Sequence, residues 1–465
     1  MLTIARPRRW FTLLMVTASC HSTAAAEPTR ATEMFRRMKA HLDGIPAIDT
    51  HGHILPFEQL KNLAPTEFGP GMDLETIWRR SYYAWINPLT PRLPGKGFDE
   101  WWAEAKDDFD NARATSFYQY QLSAFQDLYG VDFETMTDEQ AAAVNRKIYD
   151  NYQTRDWMYE VVTERSNIEL VVNDPYWSRL YEVPDYKFSA LVFNVSSLGR
   201  GFHPSEFTYP PDDPYTFARK HDINVESLDD YLHLIEELFK ERKAAGAVCL
   251  KTTVAYQRTL HFADLPKERV AGLFGKKADE MTPEQIKMFE DFIMWRLVEL
   301  AAKYDIPFQI HTGHARIQGS NPMNLVDLIG ANPRTKFILF HGGYPWYSEV
   351  GAIIMRHGSH VWVDSCWLPT ISYTMGKQAF HEWLEVMPSN RILWGSDTNH
   401  AEGVYGATEF TRRCIAEVLA EKVLNGDLRV EYAERIGRQI LRENALELFP
   451  SMREQLWKHK GPLRP

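Results

Sequence analysis

The sequence predicts an α/β fold built on eight parallel strands. Eight short runs are rich in Val, Ile, Leu and Phe without alternating polar residues, which is typical of strands covered on both faces. The later runs end at His311, His341, Asp364 and Asp397, at intervals of 30, 23 and 33 residues, as strand–helix–strand crossovers require. The runs span residues 45–49, 168–172, 190–195, 247–251, 307–311, 336–341, 360–364 and 391–397. With helices between them, they indicate a TIM-type (β/α)8 barrel.

The segments between the later strands contain helix signals. Residues 281–304 open with Thr282 and Pro283, a capping residue followed by proline in the first turn, and continue with apolar residues at helical spacing. Residues 224–246 are predicted to form a helix that stops at Gly246, just before the fourth strand. Each predicted helix leads into a strand, which is the alternation that a barrel needs.

One connection is much longer than a single crossover. About 110 residues separate His53 from Ile168, and they contain several helical stretches rich in Trp and Tyr. We predict an α-helical insertion after the first strand, over residues 57–160, that covers the mouth of the barrel; the alternative is a packing addition without a role in the site. The barrel as a whole is predicted to span residues 27–450, followed by a C-terminal tail over 451–465.

The first 26 residues have the layout of an export signal. Arginines at positions 6, 8 and 9 precede a short apolar run over residues 10–18, and small residues lead to a predicted cleavage after Ala26. The adjacent arginines fit a twin-arginine signal as well as an ordinary secretory one. The run is too short to span a bilayer. We therefore expect a periplasmic or secreted protein without stable membrane insertion after cleavage.

Composition excludes some classes of function. The net charge of −10, the pI near 5.9 and the lack of a long basic run argue against a nucleic-acid-binding surface. After the predicted signal only Cys249, Cys366 and Cys414 remain, without the spacing of a disulfide framework or a cysteine-type zinc site. Cys249 and Cys366 are interpreted as buried, inert thiols. The sequence leaves open whether the chain forms a homo-oligomer.

Polar side chains recur where predicted strands end. Five of the eight strands carry such a group, and in a barrel of this type the active site lies at the carboxyl ends of the strands. The groups are His51 and His53 after the first strand, Lys251 after the fourth, His311 after the fifth, His341 after the sixth and Asp397 after the eighth. A single histidine at a strand end is more often structural, and a single aspartate often caps a helix. Their joint occurrence favours a functional site.

These residue types suit a metal centre. His51 and His53 are two residues apart, so in an extended segment they face the same side. With His311 and Asp397, three imidazole nitrogens and one carboxylate would bind one divalent transition metal ion, zinc above all, with one position open. Such an ion would acidify a water molecule at neutral pH. His341 would then be the catalytic acid or base, with Asp397 assisting proton transfer.

The same residues carry a resemblance to a known family. The pattern of strand-end residues resembles the amidohydrolase superfamily. The stretches ILFHGGYPW and RILWGSDTNH resemble its amidohydrolase-2 branch, which includes the barrel halves of certain fusions to glutamine-synthetase-like domains. The resemblance covers residues 40–450 roughly. It implies that His51, His53, His311 and Asp397 are the metal set and that His341 is the catalytic histidine. The aromatic insertion is also similar to that of uronate isomerases.

Lys251 has three interpretations. It could be a surface or ion-paired residue, or, as in binuclear members of the family, a carboxylated lysine that bridges two metal ions. We favour a third, in which its ammonium group binds a substrate carboxylate with help from Tyr256 and Arg258. Arg316 and Trp346 are further candidates for contact with the substrate, a small molecule.

The predicted function is a metal-dependent hydrolase for an amide, lactone or ester that bears a carboxylate. Relatives in this branch also suggest decarboxylation of an unsaturated or aromatic acid, or isomerisation of a uronate, at the same site. A third alternative, of another class, is a periplasmic protein that binds a metal or ligand without turnover. His341 argues against that alternative, because a storage site has no need for a base.

Overall fold

The computed structural model describes residues 28–176, 179–180 and 185–460. The export signal predicted for residues 1–26 lies outside the described residues, and so does the end of the predicted tail, residues 461–465. Within the described residues, no helix is both long and apolar enough to cross a membrane.

Eight parallel strands form one sheet in which spatial order follows chain order. They are β1 Ala47–Gly52, β2 Ile168–Asn173, β3 Ser189–Asn194, β4 Cys249–Thr252, β5 Phe308–Ile310, β6 Phe337–Leu339, β7 Val361–Asp364 and β8 Ile392–Leu393. After β8 the chain returns to β1, where the Thr50 N–H donates to the Trp394 carbonyl at 3.1 Å. The sheet is thus nearly closed into a barrel, which confirms the predicted fold class.

Helices surround the barrel and precede most of the later strands. Those that lead into β4 to β8 are Leu228–Ala244, Pro283–Tyr304, Val326–Ala331, Tyr347–His357 and Tyr373–Val386, and shorter ones lie at Pro214–Lys220 and Leu368–Ile371. The predicted start of the second helix is present, because the Thr282 side chain accepts from the Gln285 N–H. After β8 come Ala401–Leu424, Val430–Arg438, Asn444–Leu448 and Pro450–Lys460, and Glu33–Asp43 packs on the first of them.

The barrel has its own interior core. Ile48, Leu170, Ile338 and Leu393 come from different strands and form a buried cluster separate from the larger core outside the sheet. Phe449, in the C-terminal segment, belongs to the same interior cluster. Because both faces of the strands are covered by apolar groups, the strands are continuous apolar runs.

The long connection between β1 and β2 is mostly helical. It holds a two-stranded hairpin, Ala64–Thr66 and Gly69–Gly71, and the helices Phe57–Lys61, Leu74–Arg80, Tyr83–Ile86, Phe98–Ala105, Ser116–Ala124, Asp138–Asn151 and Asp156–Tyr159. Its core is aromatic: Trp78 stacks on Tyr118 and Phe125, with ring centroids 5.5 and 5.7 Å apart. We call this segment, residues 57–160, the roof. The roof also packs on the helix Ala401–Leu424 through Ser116–Ala124.

Candidate metal centre and active site

His51 and His53 lie at the carboxyl end of β1, and their ring centroids are 4.5 Å apart. The Nδ1 atom of His53 hydrogen-bonds the backbone carbonyl of Asp174, just beyond the end of β2. A carbonyl only accepts, so this contact places the ring hydrogen of His53 on Nδ1. In the neutral ring Nε2 then presents a lone pair to the interior of the site.

Asp397 stands at the centre of the site, four residues after the end of β8. Its backbone N–H donates to the His51 carbonyl at 2.8 Å, which ties it to β1. The Oδ1 atom of Asp397 lies 3.2 Å from His53 Nε2 and 3.6 Å from His51 Nε2. Its Oδ2 atom lies 3.3 Å from Nδ1 of His341. Oδ1 of this buried carboxylate therefore faces two imidazoles, those of His51 and His53, and Oδ2 faces the imidazole of His341.

His341 is not in a strand, although the sequence predicted a strand that ends on it. Strand β6 ends at Leu339, and His341 lies in a tight turn with φ of +61°. The turn aims the imidazole across the site, and its Nε2 lies 2.8 Å from Nδ1 of His311. Trp367 and Asp397 also have positive φ, so three strained residues meet at this site. Such strain is typical of functional sites.

His311 is the first residue after β5, and its Nε2 lies 3.3 Å from the His314 carbonyl. In the described contacts, His311 contacts His341, and His341 in turn lies beside Asp397. In the part of the chain that the structure describes, two groups of side chains have ligand atoms within 4.8 Å of one another: His51, His53 and Asp397, and separately His341, Cys366 and Asp397. The structure therefore brings three of the four predicted ligands together and places His311 behind His341.

Lys251 is buried in β4 and lies beside the metal candidates. Its Nζ is 3.4 Å from His51 Nε2 and 3.6 Å from the centre of the Phe340 ring. Burial lowers the pKa of this ammonium group. A surface position for Lys251, one of the three interpretations, does not fit this location.

Burial also sets the protonation of the histidines. It lowers the pKa values of His51, His311 and His341 well below the ordinary value, which favours neutral rings with a free lone pair. For His53, burial acts in the same direction, but the hydrogen bond and charge of Asp397 outweigh it and raise the pKa. The carboxylate thus attracts positive charge to Nε2 of His53.

These residues fit a divalent metal ion. When the His53 ring is neutral, its Nε2 and Asp397 Oδ1 both direct lone pairs toward each other, and a metal cation between them can take the place of the proton that the raised pKa of His53 favours. A tetrahedral ion with bonds of about 2.0–2.2 Å sets neighbouring ligand atoms about 3.3–3.6 Å apart. The distances of 3.2 and 3.6 Å from Asp397 to His53 and His51 lie close to that range.

Of the predicted substrate contacts, Tyr256 packs on a histidine of the site, whereas Arg258 and Arg316 bind partners elsewhere. The Tyr256 ring packs on His311, with centroids 4.5 Å apart. Arg258 instead pairs with Glu290 at 3.0 Å and with Asp291, and lines a separate cavity of about 690 Å³. Arg316 is exposed and donates to the Gln257 carbonyl. Trp346 is half-buried and, within the described residues, its ring contacts no other aromatic ring.

Further residues lie at the site, and the sequence analysis did not assign Tyr82 or Cys366 to it. The Tyr82 hydroxyl, from the roof, donates to Asp397 Oδ1 at 2.8 Å. The Trp367 ring lies 5.2 Å from that of His341, and the sulfur of Cys366 lies 3.3 Å from His341 Nδ1. Cys366 and Trp367 lie two and three residues after the end of β7, so the strand-end rule could have assigned Cys366 to the site. Nothing in the local sequence marks Tyr82, because tertiary packing alone brings it to the barrel.

A polar cavity of about 190 Å³ leads to the centre. From the barrel side it is lined by His53, Asp397, Thr398, Asn399 and His400, and from the roof by Arg79, Arg80, Ser81, Tyr82, Trp85 and Tyr120. Arg79 is held by Glu75 within its own helix. The exposed guanidinium of Arg80 forms no ion pair with any described residue.

Comparison with known proteins agrees with this architecture. The amidohydrolase family model matches residues 214–451, which include His311, His341 and Asp397. Protein fluG of Emericella nidulans is 29% identical over 219 residues, 44% of this chain but 25% of that protein. The chain thus spans about a quarter of that curated relative.

Two solved structures share the fold over nearly their whole length. The glucuronate isomerase of Caulobacter crescentus has a TM-score of 0.72 and 17% identity, over 95% of this chain and 97% of that one. The uronate isomerase of Thermotoga maritima has a TM-score of 0.69 and 13% identity, over 90% of this chain and 97% of that one. Since the family model covers half of the chain, the chain belongs to the amidohydrolase family of metal-dependent enzymes.

Proposed function

We propose that the protein is a metal-dependent hydrolase for a small amide, lactone or ester that bears a carboxylate. The observation that carries this proposal is the position of Asp397, buried between His53 and His341 at the end of a small polar cavity. A reacting group at that end of the cavity would meet metal ligands, a base and a hydroxyl donor together.

His51, His53 and Asp397 would hold the ion, which we propose to be zinc. When bound, it supplies a polarised substrate oxygen and an acidified water molecule. His51 and His53 fix its place at the end of β1, and Tyr82 holds the Oδ1 atom of Asp397 from the roof.

Asp397 and His341 would handle the proton. Asp397 lies at the end of the cavity, where it can accept the proton that the attacking water loses. His341 Nδ1, 3.3 Å from Oδ2, then takes that proton and returns it to the leaving group. Burial lowers the pKa of His341, so its ring is unprotonated and ready to act as a base at neutral pH.

Arg80 would bind the substrate carboxylate. Its guanidinium lines the same cavity as Asp397 and His53 and makes no ion pair with any described residue. Arginine binds carboxylates through two parallel hydrogen bonds, which would orient the substrate toward the centre. This assignment replaces Arg258, which Glu290 and Asp291 already neutralise.

The second candidate function is isomerisation of a uronate. One observation favours it: the likeness to the two isomerases extends over 97% of those chains, while the roof supplies Tyr82 and Arg80 to the cavity. In that reaction the same base would move a proton between neighbouring carbons of the substrate, and water would not be consumed.

Isotope labelling separates the two functions. We would incubate the zinc-loaded protein with lactones, N-acyl amino acids and uronates in H2¹⁸O and, separately, in D2O. Hydrolysis places one ¹⁸O atom in the product, whereas isomerisation gives a product of unchanged composition that carries deuterium on carbon. A protein that binds zinc but turns over no member of a broad panel would support the non-catalytic binding alternative.

We further propose that the protein is exported through the signal in its first 26 residues. Cell fractionation and N-terminal sequencing test this, with mature protein expected outside the cytoplasm and beginning at Glu27. An uncleaved chain confined to the cytoplasm would contradict the proposal.

A further inference from the structure

The chain just after β8 contacts the roof at three successive places. Asp397 accepts the hydrogen bond of the Tyr82 hydroxyl. Two residues later, the side-chain amide of Asn399 donates to the Arg80 carbonyl at 3.2 Å. The third contact is made by Glu402, in the first turn of the helix that follows. The two sides of the cavity therefore meet along this short stretch of chain.

Glu402 is fully buried and binds three donors from the roof. Its Oε1 atom accepts from the Tyr129 hydroxyl and, at 3.2 Å, from the indole N–H of Trp157. Its Oε2 atom accepts from the Tyr152 hydroxyl at 2.7 Å. The Tyr152 oxygen in turn accepts from the Ala401 N–H at 2.9 Å, so its own hydrogen is directed at Glu402. We call Glu402, Tyr129, Tyr152 and Trp157 the latch.

The latch joins parts of the roof that are separate in the sequence. Its three donors lie in or next to three different roof elements, Phe125–Tyr129, Asp138–Asn151 and Asp156–Tyr159. A buried carboxyl group is costly unless its oxygens are hydrogen-bonded, and an apolar side chain would fill the same space without that cost. Because hydrogen bonds are directional, the latch fixes the orientation of the roof on the helix after β8 as well as the contact between them.

The roof elements of the latch contact the helix Leu74–Arg80 at two points. The Asn145 side chain accepts from the Leu74 N–H at 3.0 Å, and the Phe125 ring stacks on Trp78 with centroids 5.7 Å apart. Asn145 lies in the helix that precedes one latch residue, and Phe125 begins the turn that ends with another. The helix Leu74–Arg80 leads directly to the roof residues that line the cavity, so their position depends on the latch.

We propose that Glu402 is a positioning residue, which holds Arg80 and Tyr82 at a fixed distance from Asp397. Glu402 does not line the cavity itself and acts through the roof. The inference rests on the proposed function for the roles of Arg80 and Tyr82, whereas the latch does not depend on which reaction takes place.

Two variants of the zinc-loaded full-length chain test this proposal. Glu402→Gln replaces one acceptor oxygen with an NH2 group, so at least one roof donor loses its acceptor. Tyr152→Phe removes a single hydroxyl and is the milder change. Tyr405→Phe is the matched control, because the Tyr405 hydroxyl also joins the helix after β8 to the roof, at 2.9 Å from Asp127. Since Asp127 is exposed, water can replace that bond.

Hydrogen–deuterium exchange measures the latch, and kinetics measure its effect. We expect faster exchange over residues 74–86 in Glu402→Gln and Tyr152→Phe, while the control Tyr405→Phe should exchange like the wild type. With the best substrate of the lactone, N-acyl amino acid and uronate panel, kcat should fall about 10-fold in Glu402→Gln, because Tyr82 is displaced from the carboxylate. In a Tyr82→Phe background the same change should lower kcat by less than about 3-fold, since that contact is already lost.

Each outcome decides one part of the proposal. Unchanged exchange in Glu402→Gln would overturn the latch. An unchanged kcat, or an equal loss of kcat in the wild-type and Tyr82→Phe backgrounds, would show that Glu402 only stabilises the fold and would overturn its positioning role. If the wild type turned over no substrate, the proposed function would fail, and faster exchange over residues 74–86 would still support the latch. If Glu402→Gln did not fold, Tyr152→Phe would decide both measurements in the same way.

Discussion

The two sides of the cavity are built differently. The barrel side consists of buried groups fixed by backbone contacts: Asp397 is tied to β1 through the His51 carbonyl, and His53 is tied to the chain after β2 through Asp174. The roof presents the exposed Arg80 at the end of one helix and Tyr82 just before the next, and its helices pack on an aromatic core around Trp78. The difference suggests a division of labour, in which the barrel performs the chemistry and the roof selects and orients the substrate.

The largest effect is expected from Asp397→Asn. An amide cannot accept the proton and is a weaker metal ligand, so kcat/KM should fall by about 10³-fold or more and zinc affinity should fall with it. Steady-state kinetics and metal analysis check this. Asp213→Asn, at a buried helix cap away from the site, should retain zinc and activity. Full activity in Asp397→Asn would contradict the role of the barrel side.

The next effect is expected from His341→Asn. Loss of the base should lower kcat by about 10²- to 10³-fold while an ion stays bound at His51 and His53. Pre-steady-state and steady-state rates, together with zinc content, measure both parts. His360, a buried histidine next to the start of β7, provides the control His360→Asn, which should leave kcat unchanged. If the two variants behave alike, His341 has no catalytic role.

A smaller effect should follow from Tyr82→Phe. Removal of a hydrogen bond to a carboxylate is worth about 1.5–3 kcal/mol, so kcat/KM should fall by about 10- to 100-fold. The neighbouring Tyr83 donates to the Asp108 carbonyl within the roof, at 3.0 Å, and Tyr83→Phe should affect stability more than kinetics. Equal kinetic constants for Tyr82→Phe and the wild type would show that the Tyr82 hydroxyl has no role in the reaction.

The smallest effect should come from Arg80→Gln. If Arg80 only orients the carboxylate, KM should rise by about 10-fold with kcat nearly unchanged, and substrates without a carboxylate should be unaffected. Arg356→Gln, on the exposed surface of the helix Tyr347–His357, is the control. A fall in kcat rather than a rise in KM would show that the roof takes part in the chemical step. The proposed difference between the two sides of the cavity would then be wrong.

The residues on the barrel side of the cavity could be predicted from the sequence because they lie at or just after the ends of strands. Apolar runs marked all eight strands, and the strand-end rule then located His51, His53, His341 and Asp397. The turn at His341 was not predictable, since strand β6 stops two residues earlier than its apolar run. Short runs of this kind show that a strand exists but not where its last hydrogen bond lies.

The roof side could not be predicted in the same way, because its contacts join distant segments. Tyr82 and Asp397 are 315 residues apart, and no spacing rule connects them. Arg258 was predicted as a substrate contact from its closeness in sequence to Lys251. The structure pairs it with Glu290 and Asp291, which lie 32 and 33 residues further along the chain in the helix Pro283–Tyr304. Local sequence shows that a cationic side chain such as Arg258 is present, but not whether a carboxylate from a distant segment already neutralises its charge.

A crystal structure of the zinc-loaded protein, with anomalous data at the zinc edge, tests the central claim most directly. We expect an anomalous peak about 2.0–2.2 Å from His51 Nε2, His53 Nε2 and Asp397 Oδ1. Zinc bound at other residues, or no peak near these three side chains in a crystal that contains zinc, would contradict it.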